Sequence, residues 1–301
     1  MTILVLGHLV LDEIHSYDGK VYHGAGGITF PVSAFDALLA DGESLRPLFP
    51  FGRDATGTMR DLAAACPRTD FSHCWPVEAE NTRVRLFHES PAQYNTQLVR
   101  SLDAIPAARI EPLLADSALV YLNMMTGHDI TLDTAARLRG NGRLVYIDLH
   151  MIAYRVHRDG HREPAASPRW REWLRAGDVL QCNEREFAAL IPDAHSDDER
   201  IARVFAIASP RFFVLTRGES GADIHHRDGG VMHVPARLPA RTVDPTGCGD
   251  TFGSALALGL ARGEDLSITA ARAARAASFV AGLPGSAGMA GLRAALAEED
   301  E

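Results

Sequence analysis

Short β-rich runs alternate with helical patterns along most of this chain, and that alternation constrains the fold more than any other feature. Ile3–Leu6 is followed by Val32–Ala40, Pro47–Phe51 by Gly57–Ala65, and Ala118–Leu122 by Leu132–Leu138. Val179–Cys182 precedes Glu184–Leu190, Leu144–Asp148 and Phe212–Thr216 read as further strands, and two helices come late. Strands this apolar must be covered on both faces, so the expected class is α/β: a three-layer sandwich with a central, mainly parallel sheet. Two segments break the rhythm. Thr82–His88 alternates charged with apolar side chains, and Gln93–Arg100 has the same character. With Glu13–Gly24 they are expected to form a small antiparallel β-sheet that stands off the main domain and can close over a ligand; a surface hairpin is the plainer reading. Val156–Pro168, polar and rich in His and Arg, reads as a loop. The chain therefore divides into a main domain of residues 1–12, 25–72 and 103–301 and a lid of 13–24 and 73–102.

Composition narrows what such a fold can serve. The 301 residues are 46% hydrophobic and 23% charged, a globular balance. With 30 Lys+Arg against 39 Asp+Glu, the net charge of -9 argues against a partner that is nucleic acid or an anionic membrane. Any anionic ligand must be held locally. Apolar stretches such as Ala255–Ala261 fall short of the ~20 residues of a membrane span. The N-terminus reads as a first strand rather than a signal peptide, which makes the cytoplasm the expected location. Cys66, Cys74, Cys182 and Cys248 form no C-x-x-C pair and are expected to be reduced thiols.

The segment richest in chemistry is Val243-Asp244-Pro245-Thr246-Gly247-Cys248-Gly249-Asp250, which runs directly into an apolar helix. Glycines at 247 and 249 let successive N–H groups converge on one point, and the helix dipole adds positive potential there. A phosphate suits such a turn. Asp250 has two readings from the residues alone. It caps the helix electrostatically, or, beside a bound phosphoryl group, it takes a proton from an attacking hydroxyl.

This Asp-Pro-Thr-Gly-Cys-Gly-Asp run resembles the C-terminal signature of the ribokinase-like (PfkB) carbohydrate kinases, and other landmarks follow in the family's order. Leu4–Asp12 is similar to its first strand and substrate-binding Asp, Gly24-Ala25-Gly26-Gly27 to its di-glycine, and Phe51–Gly57 to its G-x-D-x-x-G turn. Asn183-Glu184-Arg185-Glu186 resembles its N-x-x-E motif, and Leu215–Gly221 its T-x-G-x-x-G strand end. The resemblance implies an ATP- and Mg²⁺-dependent kinase in which Asp250 is the catalytic base and Gly247, Cys248 and Gly249 form the anion hole. Asp12, Gly26 and Gly27 would bind substrate, with the glycines as the lid hinge. Asn183, Glu186, Thr216, Gly218 and Gly221 would serve the nucleotide, Glu186 reaching Mg²⁺ through water. The Ala-rich face of the last long helix, including Ala274 and Ala277, would admit the adenine, although close helix packing demands the same residues. Asp244 matches a position that contributes to a monovalent-cation (K⁺) site in some members. Cys248 stands where Ala is more frequent, which exposes the site to alkylation.

Departures bear on the substrate. Val10 and Pro31 occupy positions where Asn residues meet the sugar in many relatives, and Asp148-Leu149-His150 replaces a frequent Asp-x-Asn. Arg83, Arg85, Tyr94 and Asn95 of the lid are candidates to read the substrate from above. A dinucleotide-binding oxidoreductase is disfavoured, because the Gly247-x-Gly249 turn comes late in the chain and no strand follows to carry an acid to a ribose. The chain also has no G-x-x-x-x-G-K-[ST]. The resulting expectation is phosphoryl transfer to a hydroxyl of a small sugar-like molecule, with a nucleoside as the alternative acceptor and a non-catalytic sugar- or nucleotide-binding relative behind both. The lid is long enough to serve as a homodimer contact through its sheet edge, and the oligomeric state itself is not written in the sequence.

Overall fold

The computed structural model describes residues 1–16, 18–90, 93–286 and 288–298, and the side chains of residues 88–94 and 298 lie outside the description. The first half runs β1 (Thr2–Leu6), β2 (Leu9–His15), β3 (Val21–Gly27), α1 (Thr29–Leu38), β4 (Ser44–Leu48), β5 (Pro50–Gly52), α2 (Thr56–Ala65), β6 (Trp75–Val77), β7 (Arg83–Ser90) and β8 (Gln93–Arg100). There follow α3 (Ala107–Leu114), β9 (Ser117–Asn123), α4 (Leu132–Ala135), β10 (Leu144–Asp148), β11 (Tyr154–Val156), β12 (Arg162–Pro164), α5 (Trp170–Ala176), β13 (Val179–Asn183) and α6 (Glu184–Leu190). The last stretch is α7 (Asp197–Ile207), β14 (Phe212–Thr216), β15 (Ala222–His226), β16 (Val231–Val234), α8 (Cys248–Arg262), α9 (Leu266–Ala281) and α10 (Leu292–Glu298).

Eight strands form the central sheet in the order β16-β15-β14-β13-β10-β9-β1-β4. Pairing is parallel from β4 to β14 and antiparallel through β15 and β16. The side-chain period of a strand explains why these runs are apolar throughout. Ile3 and Val5 of β1, Leu119 and Tyr121 of β9, and Phe212 and Val214 of β14 enter the core under α1, α8 and α9. Their neighbours Leu4, Leu6, Val120, Leu122, Phe213 and Leu215 enter a second core on the opposite face, with Trp173 of α5 and Phe187 of α6. Burying each such side chain contributes about 1.5–3 kcal/mol. Among the described residues no helix is long and apolar enough to cross a membrane.

The segments that broke the alternation form the expected small sheet, of order β3-β2-β7-β8. Its strands reach further into the molecule than the 13–24 boundary, because β2 starts at Leu9 and β3 ends at Gly27. Val10, Val84 and Leu86 make its own small core, with Ile14, Leu98 and Met125 packed against it. Trp75–Val77, assigned to the lid by sequence, pairs instead with β5 of the main body. The expected loop Val156–Pro168 contains half of a hairpin, β11 pairing antiparallel with β12. Its turn lies on the lid: Leu98 N–H donates to Gly160 O at 2.8 Å and Gln97 Nε2 to Asp159 O at 2.7 Å. Gly160 has φ +84°, and a Cβ there would stand 2.1 Å from Leu98 O, so only glycine permits this backbone approach.

Candidate active site

The parallel strands end at one edge of the sheet, and four of them end in polar residues: Asn123 of β9, Asp148 of β10, Asn183 of β13 and Thr216 of β14. Ligands of open α/β sheets gather beyond such carboxyl ends. The first turn of α8 stands over them. Its N-cap, Gly247, takes φ +82°, and a Cβ would sit 2.1 Å from the Phe30 ring, so both backbone angle and space demand glycine. The N–H groups of a first helical turn have no intrahelical acceptor and face the incoming ligand. One of the three expected donors is already engaged, since Cys248 N–H reaches Pro245 O at 3.2 Å.

Asp250 occupies the third position of α8. Its Oδ1 accepts from Asn123 Nδ2 at 2.7 Å, and Asn123 is fully buried at the end of β9. Desolvation pushes the Asp250 carboxyl up to about 6; the His150 charge and the Asn123 amide oppose the rise, and Glu186 adds to it. The helix turn itself rests on a polar floor. Tyr146 Oη donates to Gln181 Oε1 at 2.6 Å, Gln181 Nε2 donates to Gly249 O at 3.0 Å, and Ser254 Oγ donates to Asp250 O at 2.8 Å. Gly253 lets this floor come close, because a Cβ there would meet Gln181 Oε1 at 2.7 Å and Tyr121 Oη at 2.8 Å.

Asn183 and Glu186 form a reciprocal capping box at α6, each side chain accepting from the other's backbone N–H at 2.9 Å. Glu186 is nonetheless buried, not a solvated cap, and its other oxygen, Oε1, lies 2.7 Å from His150 Nδ1. Burial opposes the His150 charge, but Glu186 and Asp148 outweigh it and push the imidazole up to about 9. Asp148 goes the other way: burial, Asp250 and Glu186 hold its carboxyl well above the usual carboxylate range. One cationic imidazole thus sits among three acids.

Asp12, on β2, is half-buried, and burial pushes its carboxyl up to about 7 against the field of Arg162, with Asp244 raising it further. Gly26 is required beside it: a Cβ would fall 2.0 Å from Asp12 Oδ2. Gly27, at φ +61°, packs against His8 O and the Met125 side chain. Arg162, from the hairpin that sequence left as a loop, is 6% exposed and donates through Nη2 to Met125 O at 2.9 Å.

Other expected residues take plainer positions. Thr216 Oγ1 reaches Cys182 O at 3.5 Å, Gly218 has φ +52°, and Gly221 at φ +95° abuts Val234 O. Asp244 Oδ1 caps its own turn by accepting from Thr246 N–H at 2.9 Å. Ala274 packs into the core and Ala277 accepts the Cys248 thiol through its carbonyl at 3.4 Å, so this helix face serves α8–α9 packing. The expectation of a reactive Cys248 is overturned, because burial pushes its thiol up to about 12. Arg83 and Arg85 pair with Asp54 and Glu13, at 3.3 and 2.9 Å. The Tyr94 side chain lies outside the described residues. Sequence reasoning missed Asn123, Gln181 and Arg162.

Among the described residues no three His, Cys, Asp or Glu side chains are arranged to hold a metal ion. Glu186, with both oxygens already hydrogen-bonded, fits a Mg²⁺ that arrives on phosphates and keeps its waters, not one held in a protein cage.

Comparison with known proteins follows the same lines. The family model of the pfkB family carbohydrate kinases matches residues 154–290. The bifunctional protein HldE of Halorhodospira halophila is 33% identical over 173 residues, covering 55% of this chain and 32% of that protein. That of Bradyrhizobium diazoefficiens is 30% identical over 220 residues, covering 64% and 38%. The chain thus spans about a third of the length of these relatives. A pyrophosphate-dependent kinase in the ribokinase family, solved with sulfate, superposes with TM-score 0.81 at 17% identity, over 95% of this chain and 96% of that one. Arabidopsis thaliana ribokinase with ribose and ATP gives 0.76 at 16%, over 99% and 97%. Burkholderia thailandensis nucleoside kinase with inosine gives 0.74 at 19%, over 99% and 96%. The structural likenesses carry the fold.

Proposed function

We propose that the chain is a ribokinase-like PfkB carbohydrate kinase, as the family model over residues 154–290 supports, and that it transfers the γ-phosphoryl group of ATP to a hydroxyl of a small sugar-like molecule with Asp250 as general base. The observation that carries the reading is the placement of Asp250: a carboxylate on the first turn of α8, oriented by Asn123 and poised near pH 6 beside a glycine-built anion site. Asp12 orients the acceptor by taking hydrogen bonds from its hydroxyls. Asp250 accepts the proton of the attacking hydroxyl as the new O–P bond forms and the bond from the γ-phosphorus to ADP breaks. The Gly247 and Gly249 amides, backed by the α8 dipole, stabilise charge on the moving phosphoryl oxygens. Mg²⁺ on the nucleotide, met through water by Glu186, supplies charge neutralisation when bound. Asn183, Thr216, Gly218 and Gly221 border the nucleotide, and Asp244 is the candidate for a K⁺ site.

A second donor reading is inorganic pyrophosphate. The ribokinase-family kinase solved with sulfate, on which this fold superposes, is pyrophosphate-dependent. Nucleosides are the alternative acceptors. Val21, Tyr22 and Phe87 are exposed on the lid and suit a second copy of the chain.

The test is phosphoryl transfer from ATP or pyrophosphate across sugars, sugar acids, sugar phosphates and nucleosides, with Asp250→Asn in parallel. Turnover that falls by roughly 10²- to 10⁴-fold in Asp250→Asn, with donor binding retained, supports the reading. Near-normal turnover in that variant would refute it.

A further inference from the structure

Resting on the reading that phosphoryl transfer takes place at the first turn of α8, we propose that Gln181 is a positioning residue for the reaction. Locked by Tyr146, it fixes and polarises the Gly249–Asp250 peptide, so that the Asp250 N–H becomes a donor to the moving phosphoryl group. Strand period places it there. Val179 of β13 enters the core under α8, whereas Leu180 and Cys182 enter the opposite one, so position 181 faces α8 and calls for an apolar residue. An amide stands there instead, 2% exposed, beside a fully buried Tyr146 that stacks on Tyr121 with ring centroids 5.1 Å apart. A buried amide is costly unless it is hydrogen-bonded, and here each end is used. Gly249 O can only accept, so the amide meets it through Nε2 at 3.0 Å, and Oε1 takes the Tyr146 hydroxyl at 2.6 Å. Gly253 keeps the space open, since a Cβ there would stand 2.7 Å from Gln181 Oε1.

What the pair acts on is a peptide plane. The carbonyls of a helix point toward its C-terminus and its N–H groups toward its N-terminus, so the Gly249 carbonyl faces the Gln181 floor while the N–H of the same trans peptide, that of Asp250, faces the ligand. It is the third N–H of α8, within the first turn, where the helix supplies no acceptor; the next, Thr251 N–H, already reaches back to Gly247 O at 2.9 Å. A hydrogen bond accepted at a carbonyl strengthens the donor at the other end of its own peptide, by roughly 10–30% per bond. That gain counts most where charge grows during the reaction, because a donor already fixed in place needs no reorganisation. The same N–H also lies against the carboxyl of its own residue and lowers its pKa, so polarising it favours the ionised base as well. Gln181 itself touches neither substrate nor reacting atoms; its action runs through the backbone.

The experiment compares wild type with Gln181→Met, which keeps the length and loses the donor, Tyr146→Phe, which removes one hydroxyl, and Gly253→Ala, which pushes the floor away. Each is read by kcat and KM for transfer from ATP and from pyrophosphate, by calorimetric affinity for inorganic pyrophosphate, and by the ¹⁵N resonance of the Asp250 amide. That nitrogen is deshielded when the carbonyl of its own peptide accepts a hydrogen bond, so in Gln181→Met its resonance should move upfield. There kcat should fall roughly 3- to 10-fold, the net worth of one hydrogen bond, with the acceptor KM unchanged. Gly253→Ala should do the same, and Tyr146→Phe, which frees the amide to turn, should fall between. An Asp250 resonance that stays in place in Gln181→Met overturns the proposal, and so does a resonance that moves while kcat and pyrophosphate affinity both hold. A loss confined to the acceptor KM overturns it as well, since that is the result expected of core packing alone. Should Gln181→Met not fold, the same readouts on Tyr146→Phe decide in the same sense. If wild type transfers from neither donor, the kinase reading fails by itself; the proposal is then judged on the resonance and the pyrophosphate affinity, which must change together in Gln181→Met for it to stand.

Discussion

Removing the Asn123 side chain should move the pH dependence of the reaction in a calculable direction. Asn123 Nδ2 donates at 2.7 Å to Asp250 Oδ1, a bond that favours the ionised carboxylate and holds the group down at about 6 against its burial. A hydrogen bond to a charged group contributes about 1.5–3 kcal/mol, and 1.36 kcal/mol corresponds to one pH unit. Asn123→Ala should therefore shift the acid limb of kcat/KM upward by about 1 to 2 pH units. The sign follows from the role. A base works ionised, so activity is present above the folded-state pKa and lost as pH falls through it; raising that pKa erodes activity from the acid side. At pH 7 the ionised fraction should drop from about nine-tenths to between a half and a tenth, and most of that loss should return at pH 9. A residual, pH-independent fall in kcat would report lost orientation of the carboxylate. The assay is a pH profile of kcat/KM from pH 5 to 9, with the KM for the donor as the internal control. An acid limb that stays in place while the rate falls uniformly would refute the argument and leave Asn123 as simple packing against Gly7.

Two other expectations come from positions where the structure leaves no latitude. Gly247→Ala imposes a side chain at φ +82° and drives a Cβ into the Phe30 ring, so it should cost roughly 2–4 kcal/mol of stability and weaken donor binding sharply; denaturant unfolding and calorimetry check both. Asp12→Asn should abolish acceptor binding but stabilise the fold by roughly 4 kcal/mol at pH 8. Wild-type Asp12 binds its proton more tightly folded, at about 7, than unfolded, at 3.8, so wild-type stability falls as pH rises through that window and the variant's should not. Thermal unfolding of both proteins between pH 5 and pH 8 tests it.

Much of this architecture is readable from sequence because the deciding signals are local. Runs such as Ile3–Leu6 and Leu119–Leu122 are apolar at every position, which a strand buried on both faces requires, and the turn at Gly247–Asp250 carries its chemistry in consecutive residues. What escaped notice is nonlocal or cryptic. Asn123 and Asp250 are far apart in sequence and meet only because β9 ends beneath α8. Gln181 did leave a trace, as a polar residue inside the apolar run Val179–Cys182, and that oddity is the signal that finds it. The β11–β12 hairpin left none. Its strands are three residues each, too short for the Tyr154-Arg155-Val156 alternation to stand out, and its turn is held by contacts with the lid, so Arg162 looked like one more basic residue in a polar loop. Cys248 failed for another reason: position beside an anion site suggested a reactive thiol, but reactivity is set by solvation, and the packing of α9 against α8 removes it.

The hairpin also divides the labour of the cleft in a way that matters for how the lid is held. The base, the anion turn and the polar floor belong to strand ends and to α8, all locked into the two cores, and few substitutions there would be tolerated. The arm that carries Arg162 hangs between β10 and α5, meets lid strand β8 through Gly160 and Asp159, and packs its second strand on α6. Exchanging its turn should therefore alter how the lid is held over the main body more than it alters the strand ends that carry Asn123 and Asp148.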